Sequence, residues 1–168
     1  MGHKMLVVED DKLAGMAVST LFDTLGFDVY HIEDGLQVLP YLEGDNRVDI
    51  IILDLELPGM TGDKIYKAIR ENPSLAKIPV VPFTAHKEIK TQGSLPANLI
   101  LAEYTKSGKI PGIVFKGDGT ALDRDINQQL VDEVAWALMN AGMPITEQMS
   151  KWYLQTRGLS PNDIMKNP

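Results

Sequence analysis

The sequence contains no cysteine, which excludes disulfides, thiolate metal sites and cysteine nucleophiles. It has no apolar run near the ~20 residues that a helical membrane span requires. Its opening residues, Met1-Gly2-His3-Lys4, lack the apolar stretch of a signal peptide. The expectation is a cytoplasmic protein that does not engage a membrane. Positive charge is scarce: 16 Lys and Arg stand against 23 Asp and Glu, for a net charge of -7. No run of Lys and Arg offsets that balance locally, so direct nucleic-acid binding is not expected. The histidines His3, His31 and His86 have no metal-ligand spacing and read as ordinary exposed or half-buried side chains. A glycine-rich phosphate loop is missing after the first apolar run. Glu9-Asp10-Asp11 stands there instead and would repel the phosphates of a nucleotide or flavin. There is no internal repeat and no low-complexity segment.

What is present suits one domain with a small appendage: 168 residues, 44% hydrophobic and 23% charged. Short apolar runs alternate with helix-like stretches. Met5 to Val8 reads as a first strand. Leu13, Met16, Ala17, Leu21 and Leu25 recur at helical spacing, with Gly26 where that helix would stop. Val29 to Ile32 reads as a second strand, and 35–42 as a helix weakened by Pro40. Ile50-Ile51-Ile52-Leu53 is the strongest strand signal, an apolar run suited to burial on both faces. Ile65 and Ile69 share the face of a helix that Asn72-Pro73 ends. Pro79 to Phe83 reads as a fourth strand, with Pro82 awkward inside a central position. Gly112 to Phe115 reads as a fifth, followed by a stripe of Leu122, Ile126, Leu130, Val134 and Leu138 along a long helix. This alternation predicts an α/β fold, a parallel sheet covered by helices on both faces. The predicted domain runs over 4–142, with an enlarged segment 87–111 between the fourth and fifth strands. Residues 143–168 are predicted to form a C-terminal helical extension, in which Met149, Trp152 and Tyr153 share a face and Ser160-Pro161-Asn162-Asp163 caps a short helix.

In open α/β sheets, sites form beyond the carboxyl ends of the strands. Glu9 and Asp10 follow the first strand, Asp54 the third, Thr84 the fourth and Lys116 the fifth. Three carboxylates in one cleft repel one another, and a hard divalent cation with oxygen ligands relieves the repulsion. Mg2+ (or Mn2+) suits such a site. Asp54 is then placed to attack a phosphoryl donor as a carboxylate nucleophile, with Lys116 and Thr84 binding phosphoryl oxygens.

The same residues carry a family resemblance. Met5-Leu6-Val7-Val8-Glu9-Asp10-Asp11 resembles the opening of the response regulator receiver domains of two-component signalling systems. Ile51-Ile52-Leu53-Asp54-Leu55-Glu56-Leu57-Pro58-Gly59-Met60-Thr61-Gly62 resembles their phosphoacceptor strand and following turn, and Pro79 to Ala85 their fourth strand. The resemblance covers residues 4 to 86 well and 112 to 140 loosely. It implies a flavodoxin-like, doubly wound, five-stranded parallel sheet in the order 2-1-3-4-5. It also implies roles: Asp54 as phosphoacceptor; Glu9 and Asp10 as the metal-binding acids, with Asp11 just outside and capping the next helix; Glu56 as a metal ligand through its backbone carbonyl, its side chain bearing on the lifetime of the phosphoryl group; and Thr84 as a switch hydroxyl beside the small Ala85.

The sequence departs from the family where its lysine would stand. Gly117, not proline, follows Lys116, and the spacing from Thr84 is long. Lys106 lies nearer the usual spacing but in a poor strand context, so Lys116 is preferred. The position of the family's switch aromatic, three residues before the lysine, is Ile113. The expected function is a receiver that takes a phosphoryl group on Asp54 from a histidine kinase or histidine phosphotransfer protein. It would signal through protein-protein contacts to an unknown output protein, with homodimer formation left open. No enzyme activity is expected beyond self-phosphorylation and dephosphorylation at Asp54. The alternatives are a degenerate receiver acting as a phosphorylation-independent interaction module and, further off, an aspartyl-phosphate phosphohydrolase, for which Glu56 only partly supplies the second acid.

Overall fold

The computed structural model describes residues 2–85, 114–116 and 124–164. The segment 87–111, Gly112, Ile113 and Leu122 lie outside the described residues. Strands β1 (Lys4–Val8), β2 (Asp28–Ile32), β3 (Ile50–Leu53), β4 (Val80–Thr84) and the two-residue β5 (Val114–Phe115) are all parallel and lie in the order β2-β1-β3-β4-β5. Around them run α1 (Lys12–Thr24), α2 (Val38–Glu43), α3 (Gly62–Glu71), α4 (Arg124–Asn140), α5 (Glu147–Arg157) and α6 (Pro161–Ile164). Successive strand residues point to opposite faces, and the core divides accordingly. Met5, Val7, Ile50, Ile52, Val81 and Phe83 pack with Val18 and Phe22 of α1 and Leu130, Val134 and Leu138 of α4. Leu6, Val8, Ile51, Leu53 and Val80 pack with Val38 and Leu42 of α2 and Ile65 and Ile69 of α3. Helices thus cover both faces of a parallel sheet. Among the described residues, no helix is long and apolar enough to cross a membrane.

Three local expectations meet a correction or a reason. First, α1 does not bury the stripe through Leu13, Met16 and Ala17. Gly15, Val18 and Phe22 face the sheet, while Leu13 is 79% and Met16 54% exposed. The helix is apolar on more than one side, and packing selected the face carrying Phe22, about 180° from the one carrying Leu13. Second, Pro40 does not weaken the second helix. A 3-10 turn, Gly35–Gln37, precedes Val38, so Pro40 falls in the first turn of α2, where no intrahelical N–H partner is lost. Third, Pro82 does sit in a central strand, paired with Leu53. Lys116 N donates to the Thr84 carbonyl at 2.8 Å, so Thr84 bonds toward β5. Alternation turns the Pro82 nitrogen to that same edge, one step before the described pairing begins at Phe83.

The C-terminal helix α5 belongs to the α1/α4 side of the molecule. Met149 and Tyr153 are part of its buried core, and Trp152 packs against it. Thr146 caps α5 by accepting from Met149 N at 3.0 Å and donates to the Leu25 carbonyl at the end of α1. The Tyr153 hydroxyl donates to Asp132 Oδ1 of α4 at 2.7 Å, and Arg157 pairs with Asp132 Oδ2 at 3.0 Å. Ser160 N donates to Asp163 Oδ2 at 3.0 Å at the start of α6. Packing alone makes Tyr153 costly to truncate. Tyr153→Ala is expected to lower unfolding free energy by about 3–5 kcal/mol in urea titration, and Tyr153→Phe by about 1 kcal/mol through the lost hydroxyl bond. Equal, near-zero losses for both would show that α5 rests only loosely on α4.

Candidate functional site

The parallel register sets the positions of the polar groups at the carboxyl edge. Val8 pairs with Leu53, so Glu9 and Asp54 leave their strands side by side, with Asp54 N donating to the Val8 carbonyl at 2.9 Å. Thr84 pairs with Phe115, which places Lys116 just beyond. The β3–α3 turn is held close. Gly62 N donates to the Leu55 carbonyl at 3.1 Å, and a Cβ at 62 would meet the Asp54 carbonyl oxygen at 2.0 Å. Only glycine allows α3 to begin against the backbone that carries Asp54.

Glu9 is 1% exposed and Asp54 4%, whereas Asp10 opens to solvent. One carboxylate oxygen from each of the three lies within 4.8 Å of the others. Lys116 Nζ donates to Asp54 Oδ2 at 2.7 Å and forms an ion pair with Glu9 Oε2. The same ammonium stands 5.1 Å from the centre of the Phe83 ring, an apolar wall that strengthens the pairing. Two backbone donors complete the neutralisation: Glu56 N to Asp54 Oδ1 at 3.0 Å and Asp11 N to Glu9 Oε1 at 3.2 Å. Burial pushes the Glu9 carboxyl up to about 7, against the pull of Lys116. Burial pulls Lys116 down, but Asp54 and Glu9 outweigh it and hold the ammonium above its ordinary value. Thr84 is fully buried, and its Oγ1 has no hydrogen-bond partner among the described residues. An orphan buried hydroxyl is costly, and at this edge it is placed for an incoming oxygen.

The structure therefore brings Glu9, Asp10, Asp54, Thr84 and Lys116 to one edge. Asp11 turns away to cap α1, accepting from Ala14 N at 2.9 Å. Glu56 is exposed and joins the site through its backbone. Lys106, His86 and Ile113 lie outside the described residues. The clustered oxygens fit a divalent cation: they are hard donors, from residues with more negative charge than one lysine balances. Sequence reasoning missed His31, whose ring Nε2 lies 2.7 Å from the Glu9 carbonyl oxygen. Its signal was Gly15, an otherwise unfavourable residue inside a helix.

A family model described as the response regulator receiver domain matches residues 5–95. The chain is 34% identical over 83 residues to the chemotaxis protein CheY of Pseudomonas aeruginosa, a match covering 49% of this chain and 66% of that protein. It is 33% identical over 85 residues to the probable transcriptional regulator ycf29 of Pyropia yezoensis, covering 51% of this chain but only 38% of the relative. In fold it resembles the Mn(2+)-bound form of response regulator Rcp1, with a TM-score of 0.59 at 23% identity, covering 92% of this chain and 96% of that one.

The raised Glu9 value has a definite sign. The fold favours its protonated form, so its contribution to stability is complete below about 4.5 and is lost as pH rises through about 7. For the metal-free chain, urea unfolding between about pH 5 and about pH 8 should show a steeper loss of stability in the wild type than in Glu9→Gln, whose amide does not titrate. Divalent-cation affinity, measured by calorimetry, should rise over the same window because proton and cation compete for one carboxylate. Parallel stability profiles for the two proteins would remove Glu9 as the titrating group.

Proposed function

Since the chain belongs to the response regulator receiver family, we propose that Asp54 accepts a phosphoryl group from a histidine kinase or histidine phosphotransfer protein. One observation carries this reading: Asp54 is almost buried, yet its carboxylate shares one cluster with Glu9, Asp10 and the Lys116 ammonium. An Asp54 oxygen forms the new bond to phosphorus as the bond from phosphorus to the donor imidazole nitrogen breaks, leaving an acyl phosphate and a free histidine. Lys116 pairs with the transferred oxygens, and the Thr84 hydroxyl, unpartnered among the described residues, donates to one of them. Glu9, Asp10, Asp54 and the Glu56 backbone carbonyl are the proposed holders of Mg2+ or Mn2+. When bound, that ion supplies neutralising charge for the phosphoryl oxygens.

The reading also assigns residues 4–142 to a five-stranded, doubly wound receiver and 143–168 to its extension. It describes a cytoplasmic module that signals by protein contact and catalyses nothing beyond its own phosphorylation and dephosphorylation at Asp54. Leu13 and Met16 support a protein donor, since they expose apolar surface on the helix that begins beside the acid pair. A phosphorylation-independent reading would rest on Lys116, which already pairs both buried carboxylates.

Incubation of the full chain with Mg2+ and acetyl phosphate should give one phosphoryl adduct by intact mass. The adduct should be missing from Asp54→Ala and strongly reduced in Lys116→Ala. An unlabelled wild type, under conditions that label other receivers, would decide for the phosphorylation-independent module. Leu13→Ala/Met16→Ala should leave labelling by acetyl phosphate unchanged while slowing transfer from a phosphorylated histidine protein about tenfold, as expected when apolar contacts with a partner are lost. Equal rates from the protein donor would remove this face of α1 from the docking surface.

A further inference from the structure

Glu9 stands one residue past β1, where the sheet no longer fixes the chain by itself. Its N–H still donates to the Ile32 carbonyl at 3.0 Å. β2 ends at Ile32, and the donor to the Glu9 carbonyl is a side chain, with His31 Nε2 at 2.7 Å. A carbonyl oxygen only accepts, so Nε2 carries the proton in this contact. His31 pairs in register with Val7 and shares its face of the sheet, under α1. There the ring occupies space that any other residue at 15 would fill: a Cβ on Gly15 would come within 2.2 Å of both Cε1 and Nε2 of the ring. The glycine sits inside α1 and is fully packed. Thus the turn bearing Glu9, Asp10 and Asp11 is pinned from both ends, by Asp11 capping α1 and by His31 holding the Glu9 carbonyl.

We propose that His31 is a positioning residue for the acid pair: its ring fixes the Glu9 backbone, and Gly15 is the gap in α1 that admits the ring. This rests on Glu9 being a cation ligand, as argued above. The His31 contact sets where the Glu9 carboxylate points relative to Asp54, so it acts on cation affinity rather than on the reacting atoms.

Four variants of the full chain test this: His31→Phe, His31→Gln, Gly15→Ala and the Gly15→Ala/His31→Phe double variant. The readouts are Mn2+ affinity from the paramagnetic resonance of free Mn2+, the Mg2+ dependence of labelling by acetyl phosphate, and urea unfolding. His31→Phe keeps an aromatic ring but loses the donor. It should weaken Mn2+ binding about tenfold, the scale seen when groups supporting metal ligands are removed, with labelling at saturating Mg2+ near the wild-type rate. His31→Gln, whose amide N–H2 can reach the same carbonyl, should recover most of the affinity. Gly15→Ala favours the helix yet displaces the ring, so it should weaken Mn2+ binding while the chain stays folded. The double variant should bind no worse than the weaker single one. Wild-type affinity in folded His31→Phe and Gly15→Ala overturns the proposal. So does a loss in His31→Phe that His31→Gln does not recover while Gly15→Ala binds normally, since that pattern assigns the loss to ring packing. A wild type that binds Mn2+ but takes no phosphoryl group defeats the phosphoacceptor reading alone, and the Mn2+ comparison still decides the role of His31. A wild type that binds no Mn2+ defeats both.

Discussion

Two carboxylates held side by side at the end of an apolar sheet repel each other, and the whole carboxyl edge is arranged around that repulsion. Charges about 4 Å apart interact by roughly 4 kcal/mol at the effective dielectric of a protein edge, a large fraction of the stability of a domain this size. Glu9 and Asp54 are too buried for water to screen them. The Lys116 ammonium spans both, backbone N–H groups of Asp11 and Glu56 take up further oxygens, and Asp10 is left outside in solvent. Even so, burial prevails at Glu9, whose carboxyl retains its proton to about neutral pH. A site that holds this much unrelieved acidity is built to gain from a further cation.

Much of this could be read in the chain because it follows from strand order and strand ends. The runs at Met5–Val8 and Ile50–Leu53 are uninterruptedly apolar, so they read as strands buried on both faces, and their last residues fix which polar groups meet. Lys116 was reachable by the same logic, because an apolar run precedes it. The face of α1 was not legible. Leu13 and Met16 are as apolar as Val18, and nothing local distinguishes the side that meets the sheet. Pro40 misled because its effect depends on whether it lies in the first turn or the interior, a boundary set by the 3-10 turn before it. The His31 contact joins residues far apart in the chain through a ring and a carbonyl. Only Gly15 hinted at it, and a helical glycine has many possible causes.

The opposite end of the molecule has its own constraint, nearly independent of the site. The turn after α1 brings Leu25 and Phe27 into the core beside Met149 and Tyr153. Thr146 joins the end of α1 to the start of α5 through one hydroxyl that both accepts and donates. Asp132, held by Gln128 one turn earlier on α4, then ties Tyr153 and Arg157 of α5 to that helix. These bonds anchor α5 to the two helices on one face of the sheet, and leave the acidic edge to the strand ends and the loops above them.

The edge is also where a phosphoryl group on Asp54, as proposed, would first be felt. β1 and β3 share four paired residues beneath Glu9 and Asp54. Lys116 follows directly on β5, its N–H bonded to the Thr84 carbonyl. Oxygens added at Asp54 would share the ammonium that now also serves Glu9, and Thr84 offers a buried hydroxyl without a partner among the described residues. Both responding groups therefore sit on the β4–β5 side, while the acids they answer are anchored on the β1–β3 ladder.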